Sequence, residues 1–250
     1  MKVLAVIPAR YGSKRFKGKV IADLLGKPLL QHVFENVKKC RIIDRVVIAT
    51  DDIRVKAVAE KFGAEVVMTS KTLTSGTERI IEVAKKNKEN SIIVNVQGDE
   101  PVLDMKDVSR AIKVLKNNKK IQMATLFCKL EKKADIENPN IVKVIKDKDN
   151  FAIYFSRFPI PYIRERSDQK KACYYKHLGI YCYQKDFLLK FKKLSYSMLE
   201  EVEKLEQLRI LENGYRIKMV EAKHDSVGVD TKEDLEKVKK HILGNKKIKS

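Results

Sequence analysis

VLAVIPARYGSKRFKGK, residues 3–19, is the stretch whose reading decides the fold. Val3 to Ile7 is a continuous apolar run, the pattern of a strand buried on both faces, and Pro8 ends it. Five cations follow within ten positions: Arg10, Lys14, Arg15, Lys17 and Lys19. The loop lacks the glycine spacing of a dinucleotide fingerprint or a P-loop. Its backbone N–H groups around Gly12 and Ser13 suit phosphate, but the same residues also read as an exposed basic turn.

Working outward, the strand opens an alternating series. A helix is predicted over 29–39, with Leu30, Val33, Phe34 and Val37 on one face, followed by a strand over 45–49. A second helix over 53–62 carries Val55, Val58, Ala59 and Phe62 inward, and Gly63 stops it. A short strand over 65–68 leads to TSGTER, where Ser75 or Thr77 caps a helix running to Lys86. A strand over 91–96 and a helix from Asp104 or Met105 to Asn117 complete the series. The βαβαβ rhythm implies an α/β, doubly wound, mostly parallel sheet, with ligands bound beyond the carboxyl ends of its strands. The stretches to inspect are therefore PARYGSKR, ATDD and NVQGDE. Asp51 and Asp52 read as a helix cap and a first-turn acid.

From Gln122 the rhythm changes. IVKVIKDKDNFAIYFSRFPIPY reads as a hairpin and YYKHLGIYCY as another strand. SMLEEVEKLEQLRILENGY reads as one amphipathic helix, with Leu199, Val202, Leu205, Leu208 and Leu211 inward and Gly214 ending it. A strand over 216–222 follows, then a final helix over 233–242 capped by Asp230 or Thr231. Residues 122–191 are thus expected as a β-rich insertion between 1–121 and 192–250 of one nucleotide-binding α/β domain.

The net charge is +20, from 53 Lys and Arg against 33 Asp and Glu, and the 250 residues suffice for a substantial core. Lysines are spread along the whole chain, and only the tail GNKKIKS resembles a basic extension. This favours a solvated surface that attracts a small anionic substrate over a nucleic-acid face. Four cysteines, Cys40, Cys128, Cys173 and Cys182, stand far apart, against a zinc site or disulfide framework and for reduced thiols in the cytoplasm. No 18 apolar residues run together, so membrane insertion is not expected.

Asp99 and Glu100 come directly after a buried strand and would reach the same crevice as the basic loop. A carboxylate facing several cations makes sense when a divalent metal and a polyphosphate lie between them; Mg²⁺ typically takes one or two carboxylates plus phosphate and water oxygens. Asp99 also reads as a turn residue, and Asp230 as a plain helix cap.

Together IPARYGSKRFKGK, GKPLLQHV, IATDD, MTSKTLTSGTERI, VNVQGDEP, NPNIVKVIKDKDNFAIYFSRFPIPY, YYKHLGIYCY, LEEVEKLEQLRILENGYRI and GVDTKEDL, in order from residue 2 to 236, make the chain resemble the 3-deoxy-manno-octulosonate (Kdo) cytidylyltransferase family. IPAR is shared across sugar nucleotidyltransferases, whereas QGDEP, YFSR-PIPY and LEQLR are more specific and argue against a CMP-sialate synthetase. The resemblance implies a nucleotide-diphospho-sugar transferase-like fold, cytoplasmic, with CTP and Kdo as substrates and Mg²⁺ as cofactor. It implies a homodimer formed through the β-rich insertion. It implies triphosphate contacts from Arg10, Ser13, Arg15 and Lys19, with Pro8 and Ala9 of the same loop, and a cytidine end fixed by Ser75 and Arg79. Asp99 and Asp230 would hold the metal, acting with Lys19 and Arg15 in catalysis. Gln97 would serve both substrates, and Arg157, His177, Tyr181, Glu206 and Gln207 the sugar. Lys14 and Lys17 are left as surface charge. One departure stands out: Phe16-Lys17-Gly18-Lys19-Val20 lacks the prolines that family members carry around this Gly-Lys, which predicts a less rigid loop.

Overall fold

A computed structural model describes residues 1–13, 15–165, 167 and 172–247. Lys14 and the last residues of the basic tail lie outside the described residues. The chain divides into two compact units, Met1–Ser109 with Ser226–Ser250, and Arg110–Asp225.

In the first unit, β1 (Lys2–Pro8) is buried from Val3 onward, as its unbroken apolar run requires. A small hairpin follows, β2 (Asp23–Leu24) and β3 (Lys27–Pro28). Its two-residue turn puts both Leu25 and Gly26 at positive φ, 56° and 82°, the backbone twist such tight turns favour. Next, α1 (Leu29–Lys38) buries Leu29, Leu30, Val33, Phe34 and Val37. Then come β4 (Arg45–Thr50) and α2 (Ile53–Lys61), capped by the Asp52 carboxylate, which accepts from the Arg54 N–H. Gly63, at φ 74°, closes α2: its N–H donates to Glu60 and that of Ala64 to Ala59. β5 (Glu65–Met68), α3 (Gly76–Lys86), β6 (Asn90–Asn95) and α4 (Met105–Asn117) follow, and the boundary between the units falls within α4.

The four long strands of this unit are parallel, in the order β6-β1-β4-β5. The chain winds outward from β1 through β4 to β5, then returns to the other side of β1 to lay down β6. The loops after β1 and β6 therefore diverge, and a crevice opens between them, the usual binding position in such sheets.

The second unit contains β7 (Met123–Leu130), α5 (Lys133–Glu137), β8 (Lys143–Lys146), β9 (Ala152–Ser156), β10 (Tyr174–Gln184), α6 (Lys185–Lys190), α7 (Met198–Glu203), α8 (Gln207–Glu212) and β11 (Lys218–Glu221). Its strands run β11-β7-β10-β8-β9, antiparallel except for the β11/β7 pair. Last, α9 (Lys232–Lys247) belongs to the first unit, where Val238 packs with Leu24, Leu29 and Val229.

Two expectations change. The single helix over 197–215 is two, α7 and α8, broken at Lys204, which adopts the left-handed conformation (φ 54°, ψ 47°). Leu205 and Leu208 are buried, but Val202 is 72% exposed. A buried ion pair spans the break, Arg209 donating to both carboxylate oxygens of Glu200 at 2.5 and 2.6 Å. Periodicity alone could not register this, since both halves offer apolar residues at helical spacing. Residues 192–225 also fall in one unit with 110–191 rather than with 1–109, and the unit begins at Arg110 rather than Gln122; β11 pairs with β7 and Glu203 binds Ser156 and Arg157.

Candidate active site

The site grows from the end of β1. The Ala9 N–H makes a last strand-like bond to Ala49, and the chain then loops out to Gly18. The neck of this loop is closed by Tyr11, whose carbonyl accepts from the N–H groups of Ser13 at 3.0 Å and Gly18 at 2.8 Å. Gly18 sits at φ 73°, and a Cβ there would lie 3.1 Å from the Tyr11 ring. Arg54 also stacks on that ring, its guanidinium 3.5 Å from the ring centroid and held by the Asp52 carboxylate. These contacts tie the two ends of the loop together.

The loop's cations then divide. Arg10 donates to the Thr74 carbonyl at 2.8 Å, and Lys17 is exposed. Arg15 donates to one oxygen of Asp230 at 2.7 Å. Lys19 donates to Asp99 at 2.5 Å and to the other oxygen of Asp230 at 2.8 Å. Burial alone would lower the Lys19 pKa, but the charges and hydrogen bonds of Asp99 and Asp230 outweigh it and hold it above 10.5.

Asp99 arrives on the tight turn after β6, where Gly98 is required. A Cβ on Gly98 would lie 2.9 Å from the Pro8 carbonyl oxygen, so only glycine lets the two loops approach this closely. Asp230 arrives from the segment before α9. Thr231, not Asp230, caps that helix, its hydroxyl accepting from the Asp234 N–H at 3.2 Å. This settles the alternative left open by the sequence and leaves the Asp230 carboxylate to the cations. Two tethers fix the spacing: Val229 N–H to the Asp99 carbonyl at 2.9 Å, and Ser226 to Glu100 at 2.9 Å.

Between these loops lies a cavity of about 410 Å³ lined by Pro8, Arg10, Gly12, Ser13, Lys19, Val20, Gly76, Gln97, Gly98 and Asp99. Ala9 is wholly buried behind it. Ser75 caps α3, accepting from the Glu78 N–H. Arg79 does not reach the cavity surface. It is fully buried and donates to Thr69 at 2.5 Å and Asp51 at 2.9 Å, supporting the loop after β5 from beneath. Asp51 is therefore its counter-ion rather than the helix cap, and Asp52 is the cap rather than a first-turn acid.

No cluster of three or more His, Cys, Asp or Glu suited to a metal occurs among the described residues. Asp99 and Asp230 nonetheless supply two hard carboxylate oxygens converging on one cation. That set fits a divalent ion whose remaining ligands come from phosphate and water.

In the second unit, β10 slips register on β7 between Leu178 and Tyr181, leaving two residues unpaired. The hydroxyl of Thr125 fills the bulge, donating to the Ile180 carbonyl at 2.7 Å, and its oxygen then accepts from His177 Nε2 at 2.9 Å. Four residues of straight strand span about 13 Å, yet the bulge brings the rings of His177 and Tyr181 to 5.4 Å between centroids. The Tyr181 hydroxyl donates to Gln207 at 3.2 Å. His177 is buried, which pushes its pKa down to about 3, so the ring is neutral. Glu206 precedes Gln207 at the start of α8. Arg157 follows β9, its Nε donating to the Glu203 carbonyl at 2.7 Å and its Nη1 to that of Pro139 at 2.9 Å. Sequence reading missed Tyr11, Arg54, Thr125 and Glu203. Only Asp52-x-Arg54, a cap with a cation two residues on, left a local trace.

A parallel sheet with a cationic loop and paired acids at its switch point defines the nucleotidyltransferase class. The cytidylyltransferase family profile matches residues 4–219. A 3-deoxy-manno-octulosonate cytidylyltransferase of Geotalea uraniireducens is 47% identical over 247 residues, covering 95% of this chain and 98% of that protein. One from Fusobacterium nucleatum is 46% identical over 245 residues, covering 98% of each. A solved CMP:2-keto-3-deoxy-manno-octonic acid synthetase complexed with CTP matches with a TM-score of 0.93 at 40% identity, over 98% of this chain and 100% of that one. The chain belongs to the 3-deoxy-manno-octulosonate cytidylyltransferase family.

Proposed function

We propose that this chain transfers CMP from CTP to the anomeric hydroxyl of Kdo, giving CMP-Kdo and pyrophosphate for lipopolysaccharide synthesis. The observation that carries this reading is the convergence of Asp99 and Asp230 on Lys19 behind the loop after β1, in a chain 47% identical to a Kdo cytidylyltransferase. Arg10, Ser13, Arg15 and Lys19, with the backbone of Pro8 and Ala9, take the triphosphate. The loop supported by Arg79, with Ser75 at its end and Gln97 across the cavity, takes the cytidine end. In the second unit Arg157 receives the sugar carboxylate, while His177, Tyr181, Glu206 and Gln207 receive its hydroxyls.

The anomeric oxygen bonds to the α-phosphorus as the bond from that phosphorus to the oxygen bridging the β-phosphate breaks, and the hydroxyl proton passes to solvent water. Negative charge grows on the departing pyrophosphate, and Arg15 and Lys19 are the residues that neutralise it. Asp99 and Asp230 would hold Mg²⁺, which supplies charge screening of the phosphates and a lowered pKa for the attacking hydroxyl. The carboxylates, fixed by the Val229 and Ser226 tethers, need no rearrangement of their loops to serve in this way.

The reaction is assigned to the cytoplasm, in keeping with four free cysteines. The working form is read as a homodimer built through residues 122–191, where Ile153, Phe158 and Tyr162 are 56%, 71% and 84% exposed. Light scattering of a monomer at micromolar concentration would overturn the dimer. For the reaction, pyrophosphate release is measured with CTP, Mg²⁺ and Kdo, beside sialic acid and sugar phosphates, and again after chelation. Release with Kdo alone, abolished by the chelator, is expected. No release with Kdo at any metal concentration would sink the reading.

A further inference from the structure

Lys143, at the start of β8, is 0% exposed. Burying an ammonium is costly unless its charge is compensated and its protons are hydrogen-bonded. Its Nζ donates to the carbonyls of Asn138 at 2.9 Å and Ile141 at 2.6 Å, pinning the segment that leads into β8. That segment carries Pro139, whose carbonyl accepts from Arg157 Nη1 at 2.9 Å. It also carries Val142, whose carbonyl accepts from the His177 N–H at 2.9 Å. In the sheet Lys143 lies opposite Ser156 on β9 and Lys176 on β10.

Glu203 closes the arrangement from the other side. Its carboxylate accepts from the Ser156 hydroxyl at 2.7 Å and the Arg157 N–H at 2.8 Å, while its carbonyl accepts from Arg157 Nε at 2.7 Å. Nε and Nη1 are both held by backbone carbonyls, and among the described residues Nη2 has no hydrogen-bond partner, so it is the end of the guanidinium left for a guest. Two cations, Lys143 and Arg157, and one carboxylate, Glu203, lie within electrostatic reach of one another, without a direct ion pair among them. Among the described residues these three charges sum to one positive charge, which matches one carboxylate and not a neutral sugar.

We infer that Lys143 and Glu203 are positioning residues, which together set the Arg157 guanidinium for the carboxylate of an acidic sugar. This rests on the proposed Kdo reaction. Burial lowers the pKa of Lys143; Glu203 opposes that shift and Arg157 adds to it, as expected of three charges sharing one site.

The test is steady-state kinetics of Lys143→Met, which keeps the bulk and removes the charge, with Glu203→Gln as the second variant should the first not fold. Each is expected to raise KM for Kdo at least about ten-fold, since misplacing a positioned group by ~1 Å costs on the order of 100-fold. KM for CTP should stay within about two-fold, because the nucleotide contacts are elsewhere. In an Arg157→Ala background, Lys143→Met or Glu203→Gln should add less than about two-fold, since its effect passes through Arg157. Parallel losses for both substrates, or full additivity with Arg157→Ala, would overturn the inference alone. Failure of the unmodified chain to turn over Kdo would overturn the proposed reaction and this inference with it.

Discussion

Asp99 and Asp230 accept hydrogen bonds from the same ammonium, that of Lys19, at 2.5 and 2.8 Å. The two carboxylates come from loops far apart in sequence, and two hydrogen bonds between those loops hold them at this spacing. A pair of acids kept close against their mutual repulsion is better suited to a charge-handling role than to stability. Asp99→Asn and Asp230→Asn should each lower kcat by on the order of 100-fold or more while changing CTP affinity only a few-fold. Calorimetric titration with CTP beside turnover assays separates the two effects, and a variant retaining near-normal turnover would mark its residue as structural.

The Lys19 ammonium contributes differently. Because its pKa is raised above 10.5, its stabilising effect is complete below that value and is lost only as pH climbs through the raised one. The difference in unfolding free energy between the unmodified chain and Lys19→Met should therefore be flat from pH 6 to about 9. A difference that declines across this window, in urea melts at several pH values, would show that the three-residue cluster does not hold the ammonium charged.

Much of this site was legible because its signals are local. An apolar run that stops at Pro8 and opens into cations is a strand-to-loop transition in any context, and Ser91-to-Val96 followed by Gly98-Asp99 repeats it. What was not legible depends on partners distant in sequence. Asp230 and Thr231 read equally as the cap of α9 until Lys19, 211 residues away, is seen to engage the Asp230 carboxylate while Thr231 accepts from the Asp234 N–H. Arg79 reads as a ligand contact until Asp51 and Thr69 are seen to enclose it. The bulge in β10 leaves only Gly179 as a trace, because the hydroxyl that fills it belongs to β7.

Gly98 is predicted to be intolerant of the smallest addition. In Gly98→Ala the new Cβ would meet the Pro8 backbone oxygen at 2.9 Å, and neither partner is a flexible side-chain end. The loops after β1 and β6 must part, at a cost of about 1–3 kcal/mol. CTP affinity should fall with the stability, and a variant that matched the unmodified chain in both melting temperature and CTP binding would refute the close approach.

Arg79→Lys tests whether the cytidine end is held from beneath. Lysine keeps the charge but cannot donate to Thr69 and Asp51 from a planar fork. Loss on the order of 3 kcal/mol in chemical denaturation is expected, with a higher KM for CTP and an unchanged KM for Kdo. Unchanged stability would mean that the buried guanidinium supports nothing.

Lys204 offers the opposite kind of substitution. It is the left-handed residue between α7 and α8, exposed, at φ 54°. Glycine adopts that conformation without the Cβ penalty, so Lys204→Gly should stabilise the chain by up to about 1 kcal/mol. A loss of stability in urea melts would mean that the break is not set by backbone conformation at this residue.

His177 predicts an acid-sensitive second unit. Burial pushes its pKa from 6.5 down to about 3, and the only hydrogen bond to its Nε2 among the described residues is with the hydroxyl of Thr125. Between those values the unfolded chain binds a proton that the folded chain refuses, so stability is complete above pH 6.5 and falls as the pH drops toward 3. At pH 5 the deficit should reach about 2 kcal/mol relative to pH 7. His177→Gln, whose amide can still donate to Thr125 but does not titrate, should lack this component although it is less stable at pH 7. Urea midpoints for the two chains at pH 7, 6 and 5 give the comparison. Parallel lines would show that His177 accepts its proton in the folded state, and the neutral ring assigned to the sugar contacts would then be wrong.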